Sequence, residues 1–451
     1  MIYKQDTIAA IATAPGNGGI GIVRISGPDA ERILTQIFVP AGGSNIITES
    51  HRMVYGRLTD GTETVDECMA VFMRAPRSYT REDVAEIQLH GGSFVVNRAL
   101  VLCLENGARL AEPGEFTKRA FLNGRVDLSR AEAVMEMITA RGEQEYKAAV
   151  RQLNGGASTF ISGFANELAD LQAGLAACID YPEEISDEEG SGALSEGLKK
   201  LICRLEGAMD EHSSRLIHQG LQVALFGRPN VGKSSLLNAL LGEERAIVTD
   251  IPGTTRDTIC GEMNIGGVRA FITDTAGIHE TKDPVEKLGV ERSEKARQQA
   301  DTALLIIDGS EDLTAEDIEL IQKFTEPGAI VINKTDLAAA VTEKDVQRIR
   351  PDAVCFSVCA KEPESLNPIL SYLKRFAEVS DQIALTQPRH LDAARRAVSH
   401  MKDALATLVN FTPDVAATDL QAAQNALSEI TGENADEKLL DRVFSRFCVG
   451  K

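Results

Sequence analysis

Eight residues constrain this chain more than any others: Gly227-Arg228-Pro229-Asn230-Val231-Gly232-Lys233-Ser234 fits the G-x-x-x-x-G-K-[ST] phosphate loop at every position. The flanks agree, because Leu221–Phe226 is an apolar run suited to a buried strand and residues 235–241 have helix-forming composition. Strand, glycine loop and helix in that order put backbone N–H groups and a helix N-terminus around a triphosphate. Lys233 is expected to meet the β- and γ-phosphates and Ser234 to hold Mg²⁺, within a nucleotide set of Gly227, Asn230, Val231, Gly232, Lys233, Ser234 and Ser235.

Three further motifs follow. Asp274-Thr275-Ala276-Gly277 ends the apolar stretch 268–273, placing a metal-facing carboxylate and a γ-phosphate-sensing glycine at a strand end. Asn333-Lys334-Thr335-Asp336 follows the strand-like segment 329–332, and an aspartate there accepts both N1–H and N2–H of guanine, which adenine does not offer. Cys359-Ala360-Lys361 sits where GTPases of this order carry Ser-Ala-Lys; a backbone N–H makes that contact to guanine O6, so Cys359 in place of serine leaves it available. The expected ligand is GTP.

A chain of 451 residues exceeds the size at which one hydrophobic core stops growing, about 250 to 300 residues, so several domains are expected. Residues 1–120 mix strand-like segments at 7–13, 21–25, 65–73 and 85–89 with helical ones at 29–38 and 93–106, an α+β pattern. The glycines at 16, 18, 19 and 21 lack a following helix, so they read as a turn between strands. Pro113-Gly114 breaks the chain, and helical segments then run through 121–218, with the acidic stretch 181–191 read as a loop. Residues 219–377 alternate strand and helix, the pattern of a doubly wound, mostly parallel sheet. Residues 378–451 are helical again and are expected to pack on 128–217, which makes the GTPase an insertion between two halves of a helical domain.

The net charge of −20 opposes broad electrostatic binding to nucleic acid or anionic membranes, so an RNA partner needs a local basic patch. Lys199, Lys200, Arg204, Arg389, Arg395 and Arg396 are candidates for it, with solvated helix faces the plain alternative. The eight cysteines include no C-x-x-C pair, which argues against a zinc site or disulfide framework. No run reaches the ~18 apolar residues of a membrane span, and the start of the chain has no leader pattern; a cytoplasmic protein without a membrane partner is expected.

Taken together, Arg24-Ile25-Ser26, Leu89-His90-Gly91-Gly92, Pro113-Gly114-Glu115-Phe116-Thr117, Gly253-Thr254-Thr255-Arg256-Asp257 and the terminal Phe447-Cys448-Val449-Gly450-Lys451 resemble the MnmE (TrmE) family of tRNA-uridine-modifying GTPases over essentially the whole chain. The resemblance implies an N-terminal domain that dimerises and binds 5-formyl-tetrahydrofolate or a related folate through Arg24, Glu82, Arg125 and Lys451. Family members often carry lysine where Arg125 stands. An ordinary ion pair of Arg24 with Glu82 is the plain alternative. The resemblance also implies the flavoprotein MnmG as partner, tRNA as substrate, and an aminomethyl or carboxymethylaminomethyl group added to C5 of the wobble uridine. It adds Thr249, Asp250, Ile251, Gly253, Thr254 and Thr255 to the nucleotide set, with Thr255 on Mg²⁺ and Asn230, Thr249, Ile251 and Thr254 on K⁺. Ile278 stands where Ras-like enzymes carry a water-orienting glutamine, and the resemblance gives that work to Glu286. Cys448 is implied to be catalytic; a small packed residue is its alternative. Two other readings stay open: a GTP-gated RNA or ribosome assembly factor that makes no covalent change, and an N-terminal domain that only dimerises.

Overall fold

The computed structural model describes residues 6–43, 45–48, 50–180, 187–245, 259–274, 300–324, 327–380, 384–410 and 413–450. Thr249, Asp250, Ile251, Gly253, Thr254, Thr255, Thr275, Ala276, Gly277, Ile278, Glu286 and Lys451 lie outside the described residues.

The chain divides into two compact units, one of Met1–Ile138, Arg151–Leu205 and Asp392–Lys451, the other of Thr139–Val150 and Glu206–Leu391. The second therefore takes in residues 139–150, 206–218 and 378–391 beside the span 219–377.

The first unit carries a seven-stranded sheet of β1 (Ile8–Ile11), β2 (Ile20–Ser26), β3 (Phe38–Pro40), β4 (Val54–Thr59), β5 (Thr64–Met73), β6 (Val84–His90) and β7 (Arg109–Leu110), in the order β3-β4-β5-β6-β2-β1-β7. All pairs are antiparallel except β1 with β7. β4 alternates buried and exposed side chains, the period-2 signature of a sheet covered on one face. Helices Ala30–Ile37 and Ser93–Glu105 supply that cover, burying Ile33, Leu34, Val96 and Leu102 against Val23, Ile25, Ile87 and Phe72. Strands β3, β4 and β7 are missing from the sequence reading; they are short or carry a mid-strand glycine, so their apolar alternation is brief. The glycine cluster at 16–19 does join β1 to β2.

Gly114, at φ 69°, starts helix Glu115–Leu122 where the sequence suggested only a break. A Cβ on Gly114 would lie 2.6 Å from the Phe444 carbonyl oxygen, so this glycine also lets the C-terminal segment approach. Phe444 and Phe447 join Leu128, Ala131, Leu440 and Val443 in one apolar cluster, and helix Pro413–Thr431 packs along helix Gly156–Asp180. The acidic stretch corrects the loop reading: Asp187 to Ser191 already belong to helix Asp187–Gly207, since acidic residues favour the first turn of a helix.

The second unit holds a six-stranded sheet of β8 (Leu221–Phe226), β9 (Ile259–Ile265), β10 (Val268–Asp274), β11 (Thr302–Asp308), β12 (Gly328–Asn333) and β13 (Cys355–Ser357), in the order β13-β12-β11-β8-β10-β9. It is parallel apart from the β9–β10 hairpin, as the alternation of strand and helix foretells. Every residue of β11 is buried, which requires packing on both faces. The hairpin turns at Gly266 and Gly267, both at positive φ, as a two-residue type I′ turn demands.

Candidate functional site

Parallel strands that start together also end together, so the loops after β8, β10, β12 and β13 gather at one edge of the sheet. The phosphate loop leaves β8 and opens helix Lys233–Arg245. Its glycines are structural requirements as much as phosphate-cradling ones. Gly227 has φ 143° and a Cβ there would lie 2.2 Å from the Ile306 carbonyl oxygen; Gly232 has φ 94° and a Cβ would meet Asn333 Nδ2 at 2.3 Å. Asn230 takes φ 64°, a left-handed conformation that asparagine tolerates better than most residues.

Lys233 Nζ donates to the Gly227 and Arg228 carbonyl oxygens at 2.8 and 2.5 Å, which curls the ammonium over the loop. Burial lowers its pKa and the nearby Asp274 opposes that shift. Ser234 Oγ donates to Asp274 Oδ2 at 3.0 Å. A hydroxyl and a buried carboxylate converging at a loop end form the hard-oxygen donor set that suits Mg²⁺, so these residues fit the ion.

The segment expected to read guanine is tied to this loop. Asn333 Nδ2 donates to the Val231 carbonyl oxygen at 3.0 Å, Lys334 Nζ to that of Asn230 at 3.0 Å, and Asn333 Oδ1 accepts from Ala360 N at 3.3 Å. Thr335 N donates to the Val358 carbonyl oxygen at 3.2 Å, which joins the two segments expected to meet the base. Asp336, exposed, accepts from Lys361 Nζ at 2.7 Å, and that contact lowers its pKa. A carboxylate kept ionised is what guanine N1–H and N2–H need as acceptor. Cys359 is buried, with Ser365 Oγ bonded to both its N–H and its carbonyl.

Two supports were missed in the sequence. Asp308, at the end of β11, accepts from Lys334 Nζ at 2.5 Å; burial alone would raise its pKa, but Lys334 and Ser310 hold it lowered. Asp317 caps helix Ala315–Lys323 in a capping box with Thr314 and also accepts from Arg228 Nε at 2.8 Å. The signal was available, since Thr-x-x-Asp before an apolar-periodic segment marks a capped helix start.

The first unit gathers a second group. Arg24 Nε donates to Glu86 Oε1 at 2.7 Å, its cross-strand neighbour, and Nη1 donates to the Gly450 carbonyl oxygen at 3.3 Å. The Arg24 guanidinium lies 5.6 Å from the ring centroids of Tyr79 and Phe116, and that of Arg125 lies 4.7 Å from Tyr79. Glu82 accepts from Ser26 Oγ at 2.6 Å and from Arg119 Nη1 at 3.2 Å. The plain alternative, an ion pair of Arg24 with Glu82, is not formed: the register gives Arg24 to Glu86, and the buried Arg119 takes Glu82 along with Asp6 and Glu115. Two guanidiniums on an aromatic ring beside a carboxylate fit an anionic, planar ligand such as a folate. The Cys448 side chain is exposed while its carbonyl accepts from Gly114 N at 3.4 Å.

Three of the six cations suggested as a basic patch are paired with carboxylates: Lys200 with Glu196 at 2.7 Å, Arg204 with Glu167 at 2.8 Å, and Arg396 with Glu429 at 2.6 Å. They fit the solvated-face alternative. Among the described residues no cluster of three or more metal-binding side chains occurs, and no helix is long and apolar enough to cross a membrane.

Residues 7–125 match the family described as GTP-binding protein TrmE N-terminus, and residues 128–448 match the MnmE helical domain. A tRNA modification GTPase MnmE of Heliobacterium modesticaldum is 44% identical over 99% of each chain. The same-named protein of Syntrophotalea carbinolica is 45% identical over 100% of each. Among solved structures, Era of Aquifex aeolicus is 29% identical with a TM-score of 0.29, covering 40% of this chain and 66% of that one.

Proposed function

Because the chain belongs to the MnmE family of tRNA modification GTPases, we propose that it hydrolyses GTP with K⁺ and Mg²⁺ and works with the flavoprotein MnmG on the wobble uridine of certain tRNAs. The product is an aminomethyl or carboxymethylaminomethyl group at C5, built with a one-carbon unit from a folate. The active form is a cytoplasmic homodimer.

One observation carries the reading: Gly450, two residues after Cys448, is bonded to the folate candidate Arg24, while the phosphate and guanine segments are bound to each other in the other unit. A nucleotide switch alone needs only the second of these. In the GTP site, Lys233 and Ser234 bind and orient the phosphates, and Asp336 selects the base. A monovalent cation beside the phosphates supplies positive charge where many GTPases use an arginine. Asn230 and the segment holding Thr249, Ile251 and Thr254 are its proposed ligands, and Glu286 positions water. In the first unit, Arg24, Arg125 and Lys451 bind the anionic groups of the folate, Glu82 meets its pterin amide, and the Cys448 thiol supplies nucleophilic or acid–base chemistry.

The test is complementation of a strain lacking the gene with wild type or Cys448→Ser, read by mass spectrometry of tRNA nucleosides and by GTP hydrolysis in KCl and in NaCl. Expected are potassium-stimulated hydrolysis in both proteins and modified uridine only with wild type. Modified uridine at wild-type level from Cys448→Ser makes the cysteine structural and favours the assembly-factor reading. Equal rates in the two salts remove K⁺.

A further inference from the structure

Tyr79 stands at a junction that none of the folate candidates explains. Its half-buried ring packs beside the apolar cluster of Ile8, Ala10, Ala111 and Phe116, and its hydroxyl bonds Thr117 Oγ1 at 3.0 Å. The guanidiniums of both Arg24 and Arg125 lie against this one ring, at 5.6 and 4.7 Å from its centroid. Two cations drawn to one place repel each other, and Arg24 already has a carboxylate, Glu86, at Nε. What else holds them together is the negative face of the ring, which attracts a cation electrostatically and orients the planar guanidinium.

We infer that Tyr79 is the positioning residue of this site: its ring sets the placement of Arg24 and Arg125 for an anionic ligand and, through Arg24, seats the C-terminal tail. The inference rests on the folate reading for the identity of the ligand, but not for the seating of the tail. That second role follows from the bond of Arg24 Nη1 to the Gly450 carbonyl, which reaches its acceptor only while the guanidinium keeps its place between Tyr79 and Phe116. Gly450, at φ 96°, is seated so closely that a Cβ would lie 2.2 Å from the Ile11 carbonyl oxygen, so the tail has little room for a second arrangement. Holding both cations in place before the ligand arrives removes part of the ordering cost of binding. The exposed Cys448 lies two residues before Gly450, with its own carbonyl bonded by Gly114 N at 3.4 Å.

The test uses the full chain as Tyr79→Phe, which keeps the aromatic face and loses the hydroxyl, and as Tyr79→Leu, which keeps bulk and loses the face. Two measurements are made: binding of 5-formyl-tetrahydrofolate and amide hydrogen exchange at residues 447–450. Tyr79→Phe is expected within about twofold of wild type in both; Tyr79→Leu is expected to bind the folate about tenfold more weakly and to exchange about tenfold faster at the tail. GTP hydrolysis should be the same in all three. If Tyr79→Leu matches wild type at the tail, or if Tyr79→Phe loses as much as Tyr79→Leu, the inference is overturned. If wild type itself does not bind the folate, the folate reading fails, and tail exchange alone decides the role of Tyr79.

Discussion

The GTP site and the tail site are built on opposite principles. The GTP site is a set of short contiguous motifs, each following a strand of one sheet, and several of its internal bonds join main chain to side chain: Asn333 to Val231, Lys334 to Asn230, Lys233 to Gly227. The tail site draws Arg24, Tyr79, Phe116, Arg125 and Gly450 from positions up to 426 apart in the chain, and side-chain contacts set it. A motif site tolerates change outside its motifs, whereas a side-chain site depends on every element that brings a residue to it. Glycine shows the same contrast. Gly232 makes room for Asn333 within the motif site, and Gly450 makes room for β1 to receive the end of the chain.

Three substitutions break or sharpen this division. The largest effect is expected from Glu286→Ala, which should lower kcat for GTP by about 10² to 10⁴ while nucleotide affinity and folate binding stay near wild type. Rapid-quench GTPase assays beside nucleotide titration check it, and a normal rate would return Glu286 to an ordinary surface charge. Next, Arg24→Ala should weaken 5-formyl-tetrahydrofolate binding by about 10- to 100-fold, the worth of a lost charged hydrogen bond, with no change in GTP turnover. Calorimetric titration that finds wild-type affinity refutes the placement of the folate on Arg24. The smallest is Gly450→Ala: a side chain at φ 96° costs about 1–2 kcal/mol before the contact with Ile11 is counted. Modified uridine in complemented cells should fall while GTP hydrolysis is unchanged; a fall in both activities would mean that the two sites are not separable in this way.

Much of the GTP site was legible because its chemistry depends on backbone conformation, and backbone conformation constrains residue type locally. Only glycine fits a φ of 94° pressed against a side chain, so Gly232 is visible in the sequence. Strands β8, β10 and β12 were legible as apolar runs because the sheet buries most of their side chains, whereas β11, buried throughout, was not singled out in the sequence. Asp308 and Asp317 were not, since their importance comes from Lys334 and Arg228, which reach them only in the folded sheet.

By itself, the sequence determined the phosphate loop, the guanine preference, the alternation that makes a parallel sheet and the family resemblance, because each is written in residue type at fixed spacing. Only the tertiary structure decided that Arg24 pairs with Glu86, that Arg119 rather than Arg24 takes Glu82, and that Tyr79 lies against two guanidiniums. The physical reason is range. Backbone geometry is set by neighbours in the chain, whereas the partner of a long charged side chain is set by strand register and by what else is buried nearby, and neither can be read from one segment alone.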